Sequence, residues 1–278
     1  MKIKHLLCFI ALCLFFTPGK AQQLSVMTLR NGATVYIWED KSKPDVFGMI
    51  AFKVGSVDDP EQYTGLAHYL EHVMFKGTQT IDALDWEKEK PIYEKIIAKY
   101  DERAALSDPA AREAVDKEIN DLTREAAQYA AGNEFSLLVD HMGGQGLNAS
   151  TGYDQTEYHN SFPPSQLEKW LEIYSERLID PVFRGFQTEL EAVYEEYNMY
   201  NDDRGSRMRE FIYEQAFGDH PYARPIIGLP EHLKNPQLSK LIDFYNTWYG
   251  PQNMSIILVG NIAVSYTHLR AHETGAYL

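Results

Sequence analysis

The stretch GLAHYLEHVMFKGT, residues 65–78, decides how the rest of the chain is read. It carries His68, Glu71 and His72 at positions i, i+3 and i+4, which a helix places on one side. At about 100° per residue, Phe75 joins that side while Leu66, Leu70 and Val73 fall opposite. The pattern predicts a helix buried along one face and aimed into a cavity by the other. Two neutral imidazoles one turn apart can grip a zinc ion, and a carboxylate between them can take a proton from water. His-x-x-Glu-His is the inverted form of the zinc-peptidase spacing. The plain alternative is a pair of ordinary histidines on a solvated helix face.

A catalytic zinc ion needs a third protein ligand and an open position. The segment FQTELEAVYEEYNMYND, residues 186–202, reads as a long helix. Glu189 and Glu196 are two turns apart on it and only about 20° out of line. Ala192 and Val193 flank them, which suggests a carboxylate face turned toward protein, while Glu191 and Glu195 project elsewhere. Glu196 is the preferred ligand, with Glu195 as the alternative. The other glutamates read as a solvated charged stripe.

Together, His68-x-x-Glu71-His72 and the downstream pair Glu189 and Glu196 resemble the pitrilysin/insulinase family of zinc peptidases, which includes the mitochondrial processing peptidases. GGQGLNASTGYDQTEYH (143–159), HPYARPIIG (220–228) and WYGPQNMSIILVG (248–260) are similar to further landmarks of that family. The likeness covers roughly residues 25–263. It implies one zinc ion per chain held by His68, His72 and Glu196, with Glu71 as general base and Glu189 as a carboxylate steadying the site. Asn148 and Ala149 would lie on an edge strand that binds peptide substrate by strand addition. From the residues alone, an ordinary hairpin explains that stretch equally well. The resemblance also implies short, unfolded peptides as substrates and a second homologous half or subunit that closes over the first. Without that half, the chain is expected to hydrolyse peptides weakly or not at all. The alternative within the family is a non-catalytic partner or structural subunit. Such members typically lack the base or a ligand, and this chain has both. A metal-binding or carrier domain without chemistry is a further alternative, disfavoured by a base beside an open ligand position.

His72 and Glu196 are 124 positions apart, more than the family usually has. The excess fits residues 81–135, where WEKEKPIYEKIIAKYDERAAL and DPAAREAVDKEINDLTREAAQYA show helical period, dense i,i+4 charge pairs and a helix start at Asp108-Pro109. This predicts an inserted pair of charged, mostly exposed helices. They would shape access to the site or serve as a partner-binding arm.

The ends of the chain read differently from its body. MKIKH, LLCFIALCLFF and TPGKA have the basic, apolar and small-residue regions of a secretory signal peptide, expected to be cut after Ala21. The apolar run is short for a membrane span. No span is expected after cleavage, and the product would be periplasmic or extracellular. Both cysteines, Cys8 and Cys13, lie in this leader, so the mature chain has no disulfide and no thiolate ligand. At the other end, Val264–Thr274 resembles the translated transposon adapter of sequencing libraries. Residues 264–278 are therefore expected to be non-native, and His268, His272 and Glu273 there to be no second metal site. The expected organisation is a leader at 1–21, an N-terminal catalytic domain at 22–263, and a missing C-terminal half.

Lys and Arg number 26 against 40 Asp and Glu, a net charge of −14. Loss of the leader removes Lys2, Lys4 and Lys20 and makes the balance more acidic. That excludes nucleic acid as a partner on charge grounds and suits attraction of cationic peptides. Alternation around Asn31-Gly32 predicts a hairpin of Ser25–Leu29 and Ala33–Glu39. Val46–Val54 is a third strand, followed by helices near 64–75 and 134–142 and strands near 147–151 and 156–162. Further helices are expected near 164–179, 186–201, 203–217 and 237–248, with a closing strand at Asn253–Gly260. The fold class is α+β, a two-layer sandwich of a mostly antiparallel sheet packed with helices, similar to that of the processing peptidases.

Overall fold

The computed structural model describes residues 24–262. The expected leader, with Cys8 and Cys13, and the expected non-native tail, with His268 and His272, lie outside the described residues. Six strands form one sheet: β1 (Leu24–Thr28), β2 (Thr34–Glu39), β3 (Val46–Phe52), β4 (Gln145–Thr151), β5 (Thr156–Phe162) and β6 (Met254–Gly260). Their order is β1-β2-β6-β3-β5-β4. Only the β2–β6 pair is parallel. The hairpin between β1 and β2 closes through Leu29 N to Ala33 O (2.8 Å), and Ala33 N donates to Asn31 Oδ1 (3.1 Å). This is the turn chemistry that Asn31-Gly32 predicts.

The alternation in β3, β5 and β6 buries every second residue. Ile50, Phe52, Tyr158, Phe162, Ile256 and Leu258 are all buried in the core. Among the helices packed against them is α5 (Leu167–Ile179), whose Trp170 and Tyr174 are fully buried. Both donate to one oxygen, Asn160 Oδ1, at 2.7 and 2.8 Å. A buried amide is tolerated there because its acceptor is satisfied. Gly48 on β3 makes room for this stack, since a Cβ there would meet Phe162 and Trp170 at 2.7 Å.

The helix that carries His68, Glu71 and His72 is α1 (Leu66–Val73), shorter at both ends than its periodicity suggests. It starts at Gly65, whose φ is +89° and whose Cβ would meet Ile227 O at 2.6 Å. Gly228 crosses at the same point, so the 225–228 loop lies directly over the start of α1. Leu66, Ala67, His68, Tyr69, Leu70 and Val73 are all buried, and only Glu71 and His72 are half-buried. The helix is enclosed over most of its surface, and its accessible part is the Glu71–His72 side. Phe75 does not share the His68 face, because the helix ends before it. Its ring packs edge-on to Phe135 and under the guanidinium of Arg177 instead.

Helices α2 (Trp86–Ala105) and α3 (Pro109–Ala126) form the expected pair. Asp85 and Asp108 cap them by accepting Lys88 N and Ala111 N, and Pro109 occupies the first turn of α3. The pair is docked, not a free arm. Ile92, Ile96 and Tyr100 are buried, and Tyr100 meets Phe186 edge-on. Buried Glu89 binds Arg184 through two bonds of 2.6 and 2.8 Å. α3 (with α4, Glu134–His141, after it) keeps the exposed charged outer face. Then come α6 (Phe186–Asp202) and α7 (Arg204–Phe217), a single turn α8 (Pro230–Leu233) that no periodicity announces, and α9 (Leu238–Trp248).

Candidate metal centre

Helix α1 is held at both ends. At its start, buried Asp59 accepts Gly65 N at 2.7 Å and Ala67 N at 2.9 Å, satisfying amides that have no partner within the helix. At its end, Arg177 Nε donates to Met74 O at 2.9 Å. Between them, the Tyr69 hydroxyl donates to Phe186 O, tying α1 to the first residue of α6.

This packing brings α6 across the His68 face. Glu196 Oε2 lies 3.5 Å from His68 Nε2 and 3.5 Å from His72 Nε2. The three side chains each offer a donor atom within 4.8 Å of the others, and among the described residues they are the only such group of His, Cys, Asp and Glu. Glu189, two turns earlier, faces the other nitrogen of His72, with 3.4 Å between Oε2 and Nδ1. Its second oxygen takes Lys76 Nζ at 2.5 Å. Glu195 is exposed and outside the cluster, and Glu191 is exposed too. Ala192 is also exposed, so the expectation that it backs a protein-facing carboxylate surface fails. The ligand side of α6 opens on a cleft.

The electrostatics follow from burial and neighbours. Burial, with the charge of His72 added, pushes the His68 imidazole down to about 3, so it is neutral at ordinary pH. Burial also pulls His72 down, but the bond to Glu189 and the nearby Glu71 and Glu196 outweigh it and raise that ring. The bond from His72 holds Glu189 below the usual carboxylate range, against the pull of burial, and Lys76 adds to it. Burial raises Glu71, opposed chiefly by a hydrogen bond from Thr151 Oγ1 to its Oε2 at 2.6 Å. His68 Nδ1 is buried and has no hydrogen-bond partner.

The cleft measures about 310 Å³. His68, Glu71 and Glu196 line it, with Ala149, Ser150 and Thr151 of β4 along one wall and Tyr200, Arg209 and Glu210 along another. Among the described residues β4 is the outer strand of the sheet and pairs only with β5. Ala149 therefore reaches the cleft from a free edge, whereas Asn148 sits exposed on the same edge outside the lining. Sequence reading missed Thr151, Lys76 and Tyr200. Lys76 stands four residues after His72, just past the end of α1. Tyr200 is one turn beyond Glu196. Nothing local marks Thr151 as the partner of Glu71.

The model of the insulinase family, peptidase family M16, matches residues 34–90 and 120–229. The chain belongs to this family. The unmatched stretch between the two segments falls within α2 and α3. Among relatives of this M16 chain, the zinc protease PqqE of Helicobacter pylori is 25% identical over 240 residues, covering 85% of this chain and 43% of that one. The crystal structure of a protease from Helicobacter pylori superposes with a TM-score of 0.69 at 22% identity, over 91% of this chain and 49% of the other. The periplasmic protease PqqL from Escherichia coli gives 0.67 at 23% identity, over 92% and 24%. The latter two likenesses concern the fold. The chain spans less than half the length of each of the three.

Proposed function

We propose that this chain is the metal-binding, base-carrying domain of an exported zinc endopeptidase acting on short, unfolded peptides. The observation that carries the reading is the convergence of His68 Nε2 and His72 Nε2 on one oxygen of Glu196, each at 3.5 Å. Ligands about 2.1 Å from a tetrahedral zinc ion stand about 3.4 Å apart, so the spacing fits the ion. The donor set of two imidazoles and a carboxylate also suits zinc and leaves one position open. One ion per chain would be held by His68, His72 and Glu196. When bound, it supplies Lewis-acid polarisation of the scissile carbonyl and lowers the pKa of water.

The remaining work belongs to the chain. Glu189 accepts from His72 Nδ1 and so leaves Nε2 as the ligand nitrogen. Thr151 occupies Glu71 Oε2, which leaves Oε1 to accept the proton of the attacking water and pass it to the leaving amine. The free edge of β4, with Ala149 in the cleft and Asn148 beside it, would hold substrate backbone by strand addition. Export is supported by the leader-like sequence at 1–21 and by the periplasmic setting of the PqqL protease. Among the described residues no helix is long and apolar enough to cross a membrane.

Metal analysis of the purified chain tests the core of this reading. One zinc per chain is expected, with clear loss in Glu196→Gln and none in Glu195→Gln. A metal-free wild type, or an unaffected Glu196→Gln, would refute it. Because the chain covers less than half of each of these relatives, full turnover is expected to need further polypeptide. The 278-residue chain should cleave a quenched peptide far more slowly than the full-length protein, and equal rates would defeat that part.

A further inference from the structure

Arg177 on α5 is a fully buried cation in the core. It is 1% exposed, and no ion pair holds it among the described residues. Its Nε donates to Met74 O at 2.9 Å, but neither Nη1 nor Nη2 has a hydrogen-bond partner. The guanidinium lies instead within a box of rings, 4.2 Å from the centroid of Phe75, 4.3 Å from Tyr158, 4.6 Å from Phe135 and 5.8 Å from Tyr174. Cation–π contacts of this kind recover part of the lost hydration. An apolar chain of the same length would still fill the box at lower cost, so packing alone does not account for a guanidinium here.

The Met74 contact does account for it. Met74 is the residue that ends α1, where helix carbonyls lack partners and the dipole is negative. A cation buried at that point pins the helix end, and the four rings fix the cation. We propose that Arg177 is a positioning residue: clamped by Phe75, Tyr158, Phe135 and Tyr174, it anchors the end of α1 through Met74 O and so sets the approach of His68 and His72 to Glu196. The inference rests on the zinc reading above. Anchoring and charge act on a bound cation in opposite senses. Loss of the anchor weakens zinc binding, whereas loss of a nearby positive charge strengthens it.

The test is zinc affinity of the full chain, by competition with a chromophoric chelator, together with the visible spectrum of the cobalt-substituted chain. Arg177→Met should bind zinc at least about tenfold more weakly, the scale of lost ligand support, with altered cobalt bands. Arg177→Lys, which keeps a donor and a charge, should recover most of the affinity. Val115→Ala, in the remote helical pair, should lower the melting temperature and leave both readouts unchanged. An Arg177→Met chain that binds zinc as tightly as wild type, or more tightly, overturns the proposal. So does equal weakening in Val115→Ala, which would make the effect one of general stability. Should Arg177→Met fail to fold, the Arg177 Nε–H resonance of the wild type decides: it should resist exchange and shift on zinc addition, and free exchange or no shift overturns the proposal. A wild type that binds no zinc defeats the metal reading itself, a result distinct from these.

Discussion

Glu189 and His72 form a pair in which the carboxylate faces the ring nitrogen that points away from Glu196, at 3.4 Å. The two residues come from helices joined only through tertiary packing, and Lys76 completes the arrangement from the next turn of the chain. The contact turns Nδ1 of His72 toward Glu189 and leaves Nε2 facing Glu196.

Replacing Glu189 by Gln weakens that assignment while keeping the shape. Zinc affinity is expected to fall roughly 10- to 100-fold, the range typical of partners that orient a ligand, with the fold retained. Competition against a chelator of known affinity measures it. A variant with wild-type affinity would remove Glu189 from the site.

Glu71 and Thr151 separate chemistry from metal binding. In the full-length protein, Glu71→Gln should keep zinc and lower kcat by about 10²- to 10⁴-fold, the usual contribution of a general base. Thr151→Val removes one hydrogen bond from a half-buried carboxylate and should lower kcat by roughly tenfold with zinc content intact. Near-normal turnover in Glu71→Gln would exclude it as the base. Zinc loss in Thr151→Val would show that the bond serves structure instead.

Asp59 makes the helix start sensitive to pH. Burial pushes its carboxyl from 3.8 up to about 7, against the pull of Ala67 N, Gly65 N and Arg224. A carboxyl raised on folding contributes stability that is complete below its unfolded pKa and is lost as pH rises through the folded one. Measured by urea unfolding in the presence of a chelator, the stability of wild type relative to Asp59→Asn should therefore decline between about pH 4 and pH 7, by an amount on the order of 4 kcal/mol. A difference that grows with pH in that window would contradict the assignment.

Regular elements were legible because their periods are local. Strands β2, β3, β5 and β6 and helices α1, α5, α6, α7 and α9 stand within one to three residues of their expected bounds. The misses share a cause. Helix α8 is a single turn, too short to show a period. Phe75 obeyed helical spacing on paper, but the helix stops at Val73, and the aromatic box around Arg177 takes the ring. The α2–α3 pair exposes much of its charged surface, and Tyr100 and Glu89 are buried where Phe186 and Arg184, far along the chain, come to meet them.

The sequence by itself determined the succession of strands and helices along the chain, the His-x-x-Glu-His face and the choice of α6 as the source of an acidic partner, because each depends on spacing within one element. Only the tertiary structure decided that Glu196 and not Glu195 meets the histidines, that Thr151 holds Glu71, and that Arg177 lies at the end of α1. Those facts depend on the angle and distance at which separate elements pack, which no local period encodes.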